Sequence, residues 1–154
     1  MERTAGIVEI EELTRQHRLI MVLATHLRGC ADRVLTRQDA CEVRVDIVRL
    51  DRMLVRHLKY EDEHLYPALM ACEDLAVAAM AADCAEEMGG IEGAWVAYRS
   101  QWTAAAIQAA PERFAVATAG VIGALAMRVD RENTQLYPAA EALHLVRPAD
   151  QWAA

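Results

Sequence analysis

Two stretches of this chain are versions of one another. The first reads His57-Leu-Lys-Tyr-Glu61-Asp-Glu-His64-Leu-Tyr-Pro67, and the second Arg128-Val-Asp-Arg-Glu132-Asn-Thr-Gln-Leu136-Tyr137-Pro138-Ala139. They share Glu, Leu, Tyr, Pro and Ala in one register at an offset of 71 residues, and Arg128 stands where the first copy has His57. In a helix, residues four apart lie on one face, a turn above each other. His57 and Glu61 therefore point the same way, and an imidazole beside a carboxylate can grip a divalent metal from one side. His-x-x-x-Glu alone is common on solvated faces. The second, altered copy gives this one its weight.

The composition agrees with a helical chain. Of 154 residues, 55% are apolar and only 5% aromatic, and the seven glycines and four prolines are few and clustered. Such a chain is long enough for one domain with a real core, and its composition suits an all-α bundle rather than a sheet protein. The net charge of −7 and the lack of a basic stripe argue against nucleic acid as a partner. No apolar run approaches a membrane span, and the opening Met1-Glu2-Arg3-Thr4 leads into an amphipathic pattern rather than a secretory signal. Cys30, Cys41, Cys72 and Cys84 are widely spaced, with no Cys-x-x-Cys. The expectation is a cytoplasmic protein with reduced thiols, each cysteine a small buried hydrophobe.

Four helical stretches follow from periodicity and punctuation. In the first, about 6–30, Ile10, Leu13, His17, Ile20, Leu23 or Ala24, and Leu27 fall at steps of three and four. His17 thus faces the core and His26 another way. A turn over 29–38 precedes a second helix, about 39–66, whose inward stripe is Val43, Ile47, Leu50, Leu54, His57 with Leu58, Glu61 and Leu65. His57 and Glu61 continue an apolar seam, and buried polar groups need partners. Pro67 is expected to push Tyr66 out of helical geometry, and His64 to lie on the rim. The third helix starts after Asp74, a good N-cap, and runs past Trp95, Tyr98 and Trp102 towards Ala109. Gly89, Gly90 and Gly93 lie inside it, at a cost of roughly 1 kcal/mol each relative to alanine. Close helix approach, a pocket or a break would each account for them. Pro111 suits the first turn of the last helix, expected to end near Tyr137. Trp152, in the tail, is expected to pack back or meet a partner. Trp95, Tyr98 and Trp102 recur at helical spacing as core residues, unless an exposed strip there makes a homodimer.

The repeat extends upstream. The 71-residue offset carries His17 to Met88 and Ile20 to Ile91. The chain therefore reads as two helical hairpins, the first with His17, His57 and Glu61, the second with Met88, Arg128 and Glu132. Packed up-down-up-down, they bring these positions together in the core of a four-helix bundle.

From His17 to the region after Pro138, this pattern resembles the hemerythrin-like, or HHE cation-binding, family, whose members are four-helix bundles around a di-iron centre. The resemblance rests on His17, on His57-x-x-x-Glu61 with Leu65-Tyr66-Pro67, and on Glu132 with Leu136-Tyr137-Pro138. It implies His17 and His57 as ligands of one metal, and Glu61 and Glu132 as bridging carboxylates. The chain departs from the family where histidines would be expected: it has Met88 and Glu92 on the third helix and Arg128 on the fourth. Methionine is a soft ligand, and arginine carries a permanent positive charge and cannot bind a cation. Classical reversible oxygen carriage by a di-iron pair is therefore not expected.

Three occupancies stay open at this level. One ion is held by His17, His57, Glu61 and Glu132, with iron, manganese and zinc all suiting the donors. Alternatively there is no metal, and Arg128 neutralises the carboxylates. The third is two metals with an unusual ligand set. Three functions accompany them: a sensor or regulatory module with a single metal, a metal-free bundle that binds a protein partner, and a mononuclear enzyme of oxygen or peroxide chemistry. No catalytic triad, phosphate-binding glycine loop or dithiol centre is present.

Overall fold

A computed structural model describes residues 9–143, and all the regular structure in that range is helical. Helix α1 spans Ile10–Ala31 and α2 spans Arg37–Tyr60. A wide π turn, Glu61–Leu65, carries α2 without a break into α3, Tyr66–Met70. The third rod is α4, Leu75–Gln101, followed by the short α5, Ala104–Ala109. The fourth is α6, Pro111–Arg131, which a second π turn, Glu132–Leu136, extends into α7, Tyr137–Ala142. The connections are short, so successive rods run antiparallel. α1 packs on α2 and α6, α3 on α4, and α4 on α6, which closes a four-rod bundle, with α5 lying against α2. Trp152 and the tail around it lie outside the described residues.

Side chains set the helix ends. Thr36 and Asp39 form a reciprocal capping box that opens α2. Asp74 accepts from the backbone N–H groups of Ala76 and Val77 to open α4, and Pro111 occupies the first turn of α6. The third rod stops at Gln101 instead of running to Ala109. Arg44 of α2 donates to the carbonyls of Arg99 and Trp102, and the Thr103 hydroxyl accepts from Ala106 N–H at 3.2 Å to start a new helix.

Pro67 and Pro138 end nothing. Tyr66 keeps helical angles, φ −62° and ψ −44°, and so does Tyr137. A proline ring inside an α-helix clashes with the carbonyl four residues back. The π turn ahead of each proline relieves this: Tyr66 N–H reaches back five residues to the Glu61 carbonyl, and Tyr137 N–H to that of Glu132. The extra residue per turn also swings positions i and i+5 towards one face. Glu61, Leu65 and Tyr66 are consequently all buried, as are Glu132, Leu136 and Tyr137.

The expected core stripes are buried, with Ala24 rather than Leu23 on the inner face of α1. Two apolar clusters result. The larger joins Ile20, Leu54, Leu58, Met88, Leu125 and Val129 to the Trp95, Tyr98 and Trp102 end, so those aromatics are core and form no exposed strip. The smaller holds Ile10, Leu13, Leu65, Tyr66, Cys84, Leu136 and Tyr137. Of the cysteines only Cys84 is fully buried; Cys30 and Cys72 are half-buried and Cys41 is exposed, because the last three lie at the rod ends or on an outer face. α4 runs unbroken through Gly89, Gly90 and Gly93, and a Cβ on any of them would meet nothing within 4 Å. Neither a break nor close helix approach explains them. Gly90 and Gly120 line a groove of about 910 Å³ between α4 and α6, with Tyr98 and Trp102 towards one end and Arg128 and Arg131 towards the other.

Candidate metal centre

The two apolar clusters leave a polar layer between them. On α1, His17 sits between Leu13 and Ile20. Along the second rod, His57 and Glu61 sit between Leu54 and Leu65, and along the fourth, Arg128 and Glu132 sit between Leu125 and Leu136. All five polar residues are at most 3% exposed. His17, His57, Glu61 and Glu132 each offer one donor atom, and those atoms lie within 4.8 Å of one another. Met88 is buried at the same level, in the larger apolar cluster, whereas Glu92 is exposed and does not reach the layer. His64 is exposed too, its ring tilted against that of Tyr60 with centres 4.6 Å apart.

Carboxamides fix the orientation of both imidazoles. His57 Nδ1 lies 2.8 Å from Gln16 Oε1, and His17 Nδ1 lies 2.7 Å from Asn133 Oδ1. An oxygen acceptor at Nδ1 places the proton there and turns Nε2 towards the carboxylates. His17 Nε2 is 3.4 Å from Glu132 Oε1, and His57 Nε2 is 2.8 Å from Glu61 Oε1. Despite that short contact, His57 Nε2 and Glu61 Oε1 are both buried without a hydrogen-bond partner. With His57 protonated at Nδ1 and Glu61 ionised, two lone pairs face each other, and a cation or a proton between them is needed to relieve the contact. Burial, reinforced by the neighbouring His17, lowers the His57 pKa to about 4, so the contact is not an ion pair at neutral pH.

Two tyrosines and one arginine complete the layer. The Tyr66 hydroxyl donates to Glu132 Oε2 at 2.8 Å. The Tyr137 hydroxyl lies 3.0 Å from both Glu61 Oε2 and His17 Nε2. The two tyrosines, related by the repeat, thus cross the bundle, each to the other half's glutamate. Arg128 Nη2 donates to the Tyr66 hydroxyl at 2.7 Å and to the Cys84 carbonyl at 2.8 Å, and Nη1 to Glu87 Oε2 at 3.2 Å. Glu87 also receives Arg131. The repeat places Glu87 opposite Gln16, so the pair Gln16–His57 in one half is matched by Glu87–Arg128 in the other. A positive side chain and its carboxylate partner have replaced an imidazole and its amide.

The electrostatics of the layer follow from burial and proximity. Desolvation, with Glu132 beside it, pushes the Glu61 carboxyl well above the usual range. Burial acts on Glu132 in the same direction, but the polar neighbours His17 and Glu61 and the hydrogen bond from Tyr66 outweigh it and hold Glu132 low. Burial raises both tyrosine hydroxyls, Tyr66 and Tyr137. Two close buried carboxylates cannot both ionise without a compensating cation, and Arg128 supplies one positive charge against two. A divalent ion or a shared proton must provide the rest.

The donor set fits a metal ion. Cis ligands about 2.1 Å from one centre are separated by about 3.0 Å in an octahedron and about 3.4 Å in a tetrahedron. The contacts of 2.8 Å and 3.4 Å bracket that range. A model of the hemerythrin HHE cation-binding domain matches residues 8–140. The chain belongs to that family. Comparison with curated proteins and with solved structures gave no significant match. Within this HHE domain the structure brings together all four donors read from the sequence. The sequence reading missed Gln16, Asn133 and the inward turn of both tyrosines. Gln16 and Asn133 each adjoin a donor in the chain, and the proline that follows each tyrosine was the available signal for the π turn.

Proposed function

We propose that this HHE domain binds a single metal ion through His17, His57, Glu61 and Glu132, and that Arg128 stands in for a second ion. The observation that carries this reading is the facing pair of partnerless buried atoms, His57 Nε2 and Glu61 Oε1. Iron is the ion the family favours, and manganese or zinc suits the same nitrogen and oxygen donors. When bound, such an ion supplies Lewis acidity, and iron or manganese also a change of redox state. The chain's own residues do the rest. Gln16 and Asn133 orient the imidazoles, Tyr66 and Tyr137 hydrogen-bond the glutamate oxygens, and Arg128 balances one carboxylate charge.

The domain acts as a sensor or regulatory module. Its four donors are sealed from solvent, and the groove of about 910 Å³ touches Arg128 but none of the four. Occupancy is read through packing: the donors come from α1, α2 and both π turns, so an ion ties three rods together. A ligand present at about 100 times its Kd stabilises a fold by about 2.7 kcal/mol, or about 5–10 °C in Tm for a chain of this size. The test compares thermal unfolding and amide hydrogen exchange of metal-free and iron-loaded protein. Slower exchange across both π turns on loading supports the reading, and identical behaviour in both measurements removes it.

A metal-free interaction bundle is the second reading. It is favoured by the Arg128 network, which sets a permanent positive charge among Tyr66, Cys84 and Glu87 at the place of the second ion.

A further inference from the structure

A second group of metal-type donors lies outside the bundle core, on the face where α1 meets α2. His26 and Cys30 are four residues apart on α1, and Asp46 projects from α2; their donor atoms all lie within 4.8 Å of one another. They share a surface cavity of about 240 Å³ with Arg33, Asp39, Glu42 and Val43. Two of the donors converge on the ring nitrogen of the third: Cys30 Sγ is 3.5 Å and Asp46 Oδ2 is 3.4 Å from His26 Nε2.

That convergence separates two chemistries. A nucleophilic relay needs the thiol at one imidazole nitrogen and the carboxylate at the other, so that a proton enters one side and charge is balanced at the opposite side. Here thiol and carboxylate both approach Nε2 most closely, with the sulfur also 4.0 Å from Nδ1, an arrangement that favours chelation over the relay. The spacing can be checked against coordination geometry. With a zinc–sulfur bond of about 2.3 Å and zinc–nitrogen or zinc–oxygen bonds of about 2.05 Å, tetrahedral angles place sulfur about 3.6 Å from nitrogen and oxygen about 3.3 Å from nitrogen. The observed separations from Nε2 are 3.5 Å and 3.4 Å; the sulfur is also 4.0 Å from Nδ1, so the exposed His26 ring turns on binding to aim Nε2 at an ion between the three.

We propose that His26, Cys30 and Asp46 form a second, surface metal site for a thiolate-accepting divalent ion, zinc above all. The fourth position is open to water or to a further ligand, as in zinc sites with three protein donors. On binding, the S–H bond of Cys30 breaks as the S–Zn bond forms, and the proton passes to solvent. Two cations border the site. Arg33 Nη2 is 4.0 Å from the sulfur, and Arg49 Nη1 is 3.7 Å from Asp46 Oδ1. Arg49 holds the carboxylate oxygen that faces away from His26. Against Arg33 stand the carboxylates of Asp46 and Glu42. The softer, sulfur-bearing donor set distinguishes this site from the nitrogen and oxygen donors of the core.

The experiment is an anaerobic cobalt(II) titration of the full chain under a non-thiol reductant. Glu61→Gln is run alongside, since it alters the core and leaves the surface site intact. The expected result is a thiolate-to-cobalt charge-transfer band that saturates at a single equivalent and is displaced by zinc. The band persists in Glu61→Gln and vanishes in Cys30→Ser. His26→Ala and Asp46→Ala each weaken cobalt binding by at least about 10- to 100-fold, the loss seen on removing even an outer partner of a ligand. Absence of the band in wild type overturns the proposal. So does a band that survives Cys30→Ser, which would place the thiolate at Cys41 or Cys72. Affinity unchanged in His26→Ala and Asp46→Ala would reduce the site to a lone thiol and also overturn it. Far-ultraviolet circular dichroism confirms that each variant is folded; none of the three residues is fully buried.

Discussion

Replacing Arg128 by methionine separates the role of the guanidinium from that of its volume. The side chain is 2% exposed and provides the layer's fixed positive charge. It donates to the Tyr66 hydroxyl, the Cys84 carbonyl and Glu87. Methionine keeps most of the packing but removes one hydrogen bond each from the Tyr66 hydroxyl and the Cys84 carbonyl, and it leaves two adjacent glutamates with no counterion. Removing one partner from a buried charged network costs about 3–5 kcal/mol. One kcal/mol corresponds to about 2–4 °C at this chain length, so metal-free Arg128→Met should melt about 6–20 °C below metal-free wild type. A divalent ion restores part of the missing charge, so the rise in Tm on adding iron should be larger in the variant than in wild type. Glu87→Ala removes only the exposed end of the network and should cost less than about 1 kcal/mol. Differential scanning calorimetry of the three proteins, metal-free and iron-loaded, gives all of these values. A metal-free Arg128→Met within about 1 kcal/mol of wild type would refute the reasoning, since Glu61 and Glu132 would then need no cation.

Other outcomes follow from the same structure. Gly89→Ala and Gly93→Ala should each stabilise the protein by about 0.5–1 kcal/mol in denaturant unfolding, because an added Cβ meets nothing within 4 Å; destabilisation would mean that these positions are packed. Burial pushes the Tyr98 hydroxyl up to about 12. The unfolded chain ionises near 10 while the fold stays neutral, so stability is lost as pH rises from about 10 to about 12, by up to about 3 kcal/mol; the slope over that window should flatten in Tyr98→Phe. Gln16→Leu leaves His57 Nδ1 without its acceptor and should weaken metal affinity about 10- to 100-fold with little loss of helix content; unchanged affinity would show that the amide does not orient the ring.

Much of the core was legible because helical periodicity is a local property. Hydrophobic steps of three and four placed His17 beside Leu13 and Ile20, and His57 and Glu61 beside Leu54 and Leu65. The internal repeat then paired the two halves. What was not legible depends on a change of period or on contacts between rods. Pro67 reads as a helix stop on an α-helical wheel. Instead the π turn before it absorbs the ring and turns Tyr66 inwards, so the hydroxyl bond to Glu132 lay outside any α-periodic stripe. The end of α4 at Gln101 depends on Arg44, distant in sequence, which takes the carbonyls of Arg99 and Trp102. Cys30 was read as a small apolar residue, and only the packing of α1 against α2 sets its sulfur beside His26 and Asp46. Glu92 shares the helix of Met88 but faces out, because four residues along a helix is a little more than a full turn and this helix presents a narrow inner face there.

Metal content per chain tests the central claim most directly. The measurement is mass spectrometry on protein reconstituted anaerobically with iron, in a Cys30→Ser background that removes the surface thiol. The same protein carrying His57→Ala serves as the control. The account predicts a single iron per chain, lost with His57. No iron in either protein would mean that Arg128 and a shared proton satisfy the glutamates unaided, and two irons would mean that Arg128 does not occupy the place of the second ion.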